Sequence, residues 1–307
     1  MIPDGDPDED DGEMDEEEEM LKAKTKPLDL DYVDERSHTV QRLSRDLSMA
    51  ALTLSHDEAR FLVDAYYIIQ EDRMRSNAQV RALDQNKEPH MLLSWFAEQN
   101  RVLETQIRNA LNRYSINQID GEWLHSVYGV GPVIAAGMIA YIDIERAPTV
   151  GHIWAYAGYD PTYVWLKGQK RRYNADFKVL CYKTGESFVK FKNKPDCIYG
   201  HIYDKRKEQE ARFNMSKRFK DQAAMALEKK NYRKETEAYK HYIVGMLPPA
   251  HIHARARRYA VKLFLSHLHH VMYCNYYREE PPFPYPFSIM GHDIRNYIPP
   301  PNFRYKR

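Results

Sequence analysis

Cysteine is scarce in this chain, with Cys181, Cys197 and Cys274 the three in 307 residues and no Cys-x-x-Cys pair. Thiols so few and so widely spaced exclude a disulfide framework or a cysteine-built zinc centre, and fit a reducing compartment. Long apolar runs are missing as well. The longest, around residues 127–142, falls short of a bilayer span and is interrupted by a Gly-x-Gly pair. No secretory leader opens the sequence, so a soluble, cytoplasmic protein without membrane contact is expected. Basic residues are absent from 1–20, which hold twelve Asp and Glu. A like-charge block of this kind is expected to be an acidic disordered tail. It conceals the character of the rest, because residues 21–307 carry 45 Lys and Arg against 32 Asp and Glu, while the whole chain is formally only +1. The tail either lies across a basic groove or merely solubilises the chain.

What is present reads as mainly α-helical. Residues 21–54 form a polar linker, and Ser55-His56-Asp57-Glu58 then gives a capping-box pattern. The helix it opens carries a stripe of Ala59, Leu62, Tyr66 and Ile69 that resumes at Val80 and Leu83. Asn86-Lys87-Glu88-Pro89 breaks it, and a second helix follows with Phe96, Leu103, Ile107, Ala110 and Tyr114, Asn100 falling in the same seam. Residues 55–116 are therefore expected to form a coiled-coil-like helical hairpin. Its narrow stripes need a partner surface, either a second copy in a homodimer or the chain's own domain.

A helical domain is expected over 117–278. At its start Trp123-Leu124-His125-Ser126-Val127 and Val133–Ile142 flank Tyr128-Gly129-Val130-Gly131-Pro132, the pattern of a helix-hairpin-helix. Glycine permits the tight turn, Pro132 suits a first helical turn, and the free amides of that helix start favour a phosphate. Thr149 and Gly158 read as the two caps of a further short helix. Residues 167–240 then hold 21 Lys and Arg against 10 Asp and Glu, densest at Lys167-Gly168-Gln169-Lys170-Arg171-Arg172. Lys190, Lys192 and Lys194 alternate with Phe191 and Asn193, and a basic surface with interleaved aromatics suits nucleic-acid backbone. A helix over about 251–273 places His251, Arg255, Arg258, Lys262 and His269 on one stripe, opposite Ile252, Ala256, Ala260, Leu263, Phe264, His267 and Val271. One face is expected to pack and the other to track phosphates. Seven prolines in 281–307 predict an extended tail over 279–307.

Catalytic chemistry is not demanded by these residues. His251 and His253 point to different helix faces, His267 reads as a hydrogen-bonded core histidine, and no Cys or carboxylate completes a metal set. Ser126 and Ser187 stand in no nucleophile elbow, and Asp143 and Glu145 do not converge at a helix end. No metal, no cofactor and no catalytic residue are assigned.

The ordered set Val127–Ala136, then Ala155-Tyr156-Ala157-Gly158-Tyr159-Asp160-Pro161, a Gly-Lys-Arg-rich segment and finally Ala254–Leu263 resembles the C-terminal domain of insertion-sequence 110/116/902 transposases. The resemblance spans roughly residues 120–273. It implies a DNA partner, structured or RNA-guided, and a phage or other mobile element as the setting. It also implies an N-terminal ribonuclease H-like domain and a serine nucleophile shortly after the Tyr-Ala-Gly segment. Residues 1–54 are too short for that domain, and Thr162-Tyr163-Val164-Trp165-Leu166-Lys167-Gly168 has Lys167 where the serine would precede the glycine. The expected nucleic-acid-binding set is Gly129, Val130 and Gly131 through their amides, with Lys167, Lys170, Arg171, Arg172, Arg255, Arg258 and Lys262 adding charge. Two other readings stay open: an active transposase or recombinase with an unrecognised nucleophile, and a non-catalytic assembly protein.

Overall fold

The computed structural model describes residues 45–86, 91–160 and 168–305, and among these it holds helices and no strand. The mainly α-helical reading is correct. The chain divides into two compact units, residues 1–117 with 160–171, and residues 118–159 with 172–307. The acidic tail, the linker up to 44 and Lys167 lie outside the described residues.

In the first unit α1 (Arg45–Ala50) runs into a 3-10 turn (Ala51–Thr53), followed by α2 (His56–Gln85) and α3 (Met91–Asn117). Ser55 caps α2 as a full capping box: its hydroxyl accepts the Glu58 amide, and the Glu58 carboxylate accepts the Ser55 amide at 2.8 Å. The two long helices run antiparallel, Asn100 meeting Ser76 and Glu104 meeting Arg73, while Asn117 donates to the Leu52 carbonyl at 3.1 Å. Their seam is turned slightly from the expected one. Val63 is buried where Leu62 is only half-buried, and Ala97 is buried while Phe96 is 45% exposed. Alanines at 59, 97 and 110 lie in the seam, and side chains this small let the two backbones approach.

The second unit comprises α4 (Gly121–Ser126), α5 (Pro132–Tyr141), a 3-10 turn (Ile144–Arg146), α6 (Val150–Tyr156), α7 (Ala175–Lys190), α8 (Ile198–Met215), α9 (Lys220–Lys229), α10 (Glu237–Tyr242), α11 (Pro249–Tyr277) and α12 (Tyr285–Ser288). Its axis is α11, which packs on α6, α7, α8 and the 144–146 turn. That placement corrects the expected cationic face. Arg255 is 7% exposed: its Nε donates to Glu210 at 2.9 Å and its guanidinium lies over the Phe219 ring. His269 is buried too, hydrogen-bonded through Nε2 to the Ala147 carbonyl at 2.8 Å. A helix enclosed on most sides has little solvent face, and its buried charge is tolerated because Glu210 compensates it.

Four rings form the centre of this unit. Phe264 of α11 stacks on Trp123 and meets Phe188 and Tyr199 edge-on, and Phe188 stacks on Tyr199 at 4.8 Å. A satellite core of Phe219, Ala223, Tyr242, Leu247 and Ile252 closes α9 and α10 onto the start of α11. The proline-rich tail is not free. Its Pro301 carbonyl accepts the Trp123 indole N–H at 2.7 Å, and Asn302 donates to the Ser126 carbonyl at 3.1 Å. His267 is the core histidine expected, with Tyr199 Oη on Nδ1 at 2.7 Å and Nε2 against the Ile298 carbonyl at 2.8 Å. Buried donors in α4 and α11 need acceptors, and the carbonyls of the tail supply them.

Candidate nucleic-acid interface

The turn between α4 and α5 is closed by the Val130 amide, which donates to the Val127 carbonyl at 3.0 Å. That bond places Gly129 third in the turn, at φ 96, a left-handed conformation that favours glycine. A β-carbon on Gly129 would lie 3.0 Å from the Phe188 ring, so packing demands glycine as well. Gly131 is different. It caps α5 at φ −90, and a β-carbon there would meet no heavy atom within 4 Å. The fold alone does not require glycine at 131; it leaves open space over the first turn of α5, where the amides of Val133 and Ile134 have no acceptor within the helix. Val130 drops out of the expected amide set because its N–H is spent inside the turn.

The C-terminal end of α7 braces this turn. Ser187 Oγ donates to the Gly129 carbonyl at 2.5 Å, Cys197 Sγ points at the Tyr128 carbonyl, and Tyr128 meets Phe191 edge-on at 5.7 Å. Lys190, its Nζ 5.8 Å from the Phe191 ring centre, and Lys194 belong to this same segment and are both exposed. Lys194 is one turn from Phe191, its amide on the Phe191 carbonyl at 2.9 Å. Lys192 is instead held by Asp204 at 2.8 Å. Sequence reading noted these lysines without assigning them to the site; the signal was the Lys-Phe-Lys alternation, whose aromatic anchors the loop at the turn.

The other expected residues scatter. Lys170 and Arg171 are grouped with the first unit, Arg172 with the second. Lys170 and Arg172 are exposed and Arg171 is half-buried. Arg258 is half-buried, and Lys262 donates to the Tyr159 carbonyl at 3.2 Å while lying 4.6 Å from the Trp154 ring centre. That carbonyl follows the end of α6, which closes as a Schellman motif: Tyr159 N–H reaches the Trp154 carbonyl and Gly158 sits at φ 69, the C-terminal cap expected. Lys262 and Arg255 thus serve the fold.

Neither serine weighed as a nucleophile has a free hydroxyl. Ser126 Oγ donates to the Trp123 carbonyl at 2.7 Å and Ser187 Oγ is committed to Gly129. Thr162 lies outside the described residues. All three cysteines are buried, and burial pushes each thiol upward, Cys274 to about 11. Among the described residues no cluster of His, Cys, Asp and Glu is arranged to hold a metal ion, and no helix is long and apolar enough to cross a membrane.

Replacing the two glycines is expected to separate fold from binding. Gly129→Ala should cost about 1–3 kcal/mol through backbone strain and the Phe188 contact, read as a lowered urea midpoint. Gly131→Ala should cost less than about 1 kcal/mol, the loss of a tolerated N-cap glycine. No curated protein and no solved structure matches the chain. Residues 121–165, from the start of α4 through the turn and α6, match the family model described as Transposase IS116/IS110/IS902 family.

Proposed function

We propose that the chain is a DNA-binding protein of the transposase kind, acting as a helix-hairpin-helix binder in a phage or other mobile element. The observation that carries this reading is the open space over Gly131, on a turn that α7 and α8 brace from behind. A backbone phosphate would approach that space and take the amides of Gly129, Gly131 and the first turn of α5, with Lys190 and Lys194 supplying charge from the side. Arg172 and Arg258, in the same unit as the turn, are proposed to add charge to the contact. The family match over 121–165 supports DNA as the partner.

We assign strand-transfer chemistry no residue, so binding rather than cutting is the activity proposed. The α2–α3 pair is proposed to join two copies of the chain through its exposed apolar positions, Phe61 at 72%, Ile68 at 59% and Met91 at 89% exposure. Light scattering after size exclusion should then give twice the 36.3 kDa chain mass, and a monomer at micromolar concentration would remove that assignment. Gel shifts with duplex DNA, branched DNA and RNA, on the chain with and without residues 1–20, test the binding itself. Retarded DNA is expected, strengthened by loss of the acidic tail. Absence of any shift for either protein would defeat the proposal.

A further inference from the structure

A surface cavity of about 290 Å³ opens between α2 and α3, lined by Arg73, Arg101, Glu104, Thr105 and Arg108. Positions 101, 105 and 108 follow i, i+4, i+7 spacing and share one face of α3. Arg73 reaches the same place from α2 because it is ion-paired with Glu104. Gln70 also donates to Glu104, at 3.1 Å. Burial would raise the Glu104 carboxyl, but the hydrogen bonds from Arg73, Gln70 and Tyr66 together with the Arg73 charge hold it below its ordinary value. It therefore stays ionised and pins Arg73.

Three guanidinium groups line the cavity against two paired carboxylates, Glu104 on Arg73 and Glu98 on Arg101, which leaves one positive charge in excess. Arg108 has no carboxylate partner among the described residues. Arg101 is held by Glu98, at 2.7 and 2.5 Å, in a pair more than half exposed on both sides. A solvated pair of this kind exchanges readily for a stronger acceptor. Guanidinium forks match phosphate oxygens two at a time, and Arg keeps its charge at any physiological pH.

We propose that this cleft binds one backbone phosphate of a nucleic acid, making the α2–α3 hairpin a second nucleic-acid contact separate from the Gly131 turn. The inference rests on the reading of the chain as a DNA-binding protein. Phosphate oxygens would take Arg108 and Arg101 directly, with Arg73, fixed by Glu104, as the third cation.

The test uses the full chain in two arms. In the first, inorganic phosphate is titrated while the arginine side-chain Nε–H resonances are followed. Arg73, Arg101 and Arg108 should shift together, and Arg101→Gln/Arg108→Gln should abolish the Arg73 response. No shift beyond that of equal chloride overturns the cleft whatever the chain does with DNA. In the second arm, duplex affinity is measured against salt. The double variant should bind about tenfold more weakly and lose roughly one phosphate, about 0.9, from the slope of log K on log salt. Both substituted residues are exposed, so an unchanged thermal midpoint shows that folding is intact. An unchanged slope with normal DNA binding overturns the nucleic-acid contact and leaves the turn proposal standing. Phosphate shifts without any DNA binding by the parent chain defeat the turn proposal and make the cleft a site for free phosphate instead.

Discussion

Phe264→Ala lowers the unfolding free energy by about 3–5 kcal/mol, the range for truncating a fully buried phenylalanine. The ring is entirely enclosed, and Trp123, Phe188 and Tyr199 each lie within 6 Å of its centre. Removing it leaves a void bounded by three large planar side chains, held by α4, α7 and α8, that have no room to collapse inward. Phe264→Leu keeps most of the volume and should cost less than about 1.5 kcal/mol. Phe188 also lies against Gly129, so the alanine variant should loosen the turn and weaken DNA binding before the unit unfolds. Urea denaturation followed by tryptophan fluorescence reads the stability, since Trp123 is a member of the cluster. An alanine variant as stable as the parent would show that this ring cluster is not the centre of the unit.

Acid is expected to be the second large perturbation, acting through His267 and His269. Burial lowers both imidazoles to about 4, against an ordinary value of 6.5. Each is neutral in the folded chain, donating from Nε2 to a carbonyl, Ile298 for His267 and Ala147 for His269. Between pH 6.5 and 4 the unfolded chain therefore binds more protons than the folded one, and stability falls as pH falls. The contribution is complete above pH 6.5 and lost by about pH 4, at most about 3 kcal/mol for each histidine. His270 lies close to both, its own value lowered by burial, and a charge on it would add to the opposition. Asp120 works in the other direction. Burial raises its carboxyl despite the hydrogen bond from Asn275, so it recovers some stability on acidification. Urea midpoints at pH 7, 6, 5 and 4 should decline throughout, and His267→Gln should flatten part of the decline. A flat profile would mean that neither imidazole is excluded from water.

Local signals were the legible ones. The Ser55 capping box, the Gly158 cap and the Gly129 turn each involve bonds between near neighbours, so residue type alone specifies them. The same holds for the mainly helical character, which follows from hydrophobic spacing. Long-range pairing was not legible. A helical wheel assigns Arg255 and His269 to solvent, and nothing near them in sequence announces Glu210, 45 positions away, or the Ala147 carbonyl, 122 positions away. The docking of the proline-rich tail was hidden for the same reason. Lys190 and Lys194 join the candidate site only because Phe188 and Phe191 fold back on Gly129 and Tyr128, about sixty residues earlier. Gly131 was singled out for the right reason only in part: the sequence marks it as a turn glycine, whereas the structure gives it no packing constraint at all.

The most direct test of a nucleic-acid-binding turn is the salt dependence of duplex affinity for the parent chain, Gly131→Ala and Lys190→Gln/Lys194→Gln, measured by fluorescence anisotropy. The parent should lose affinity steeply with salt, by a decade or more between about 50 and 200 mM. The lysine pair should reduce the slope by up to about 1.8, two phosphates at 0.9 each, and Gly131→Ala should weaken binding with its unfolding midpoint nearly unchanged. Affinity indifferent to salt, or variants that bind as the parent does, would show that DNA does not meet this turn.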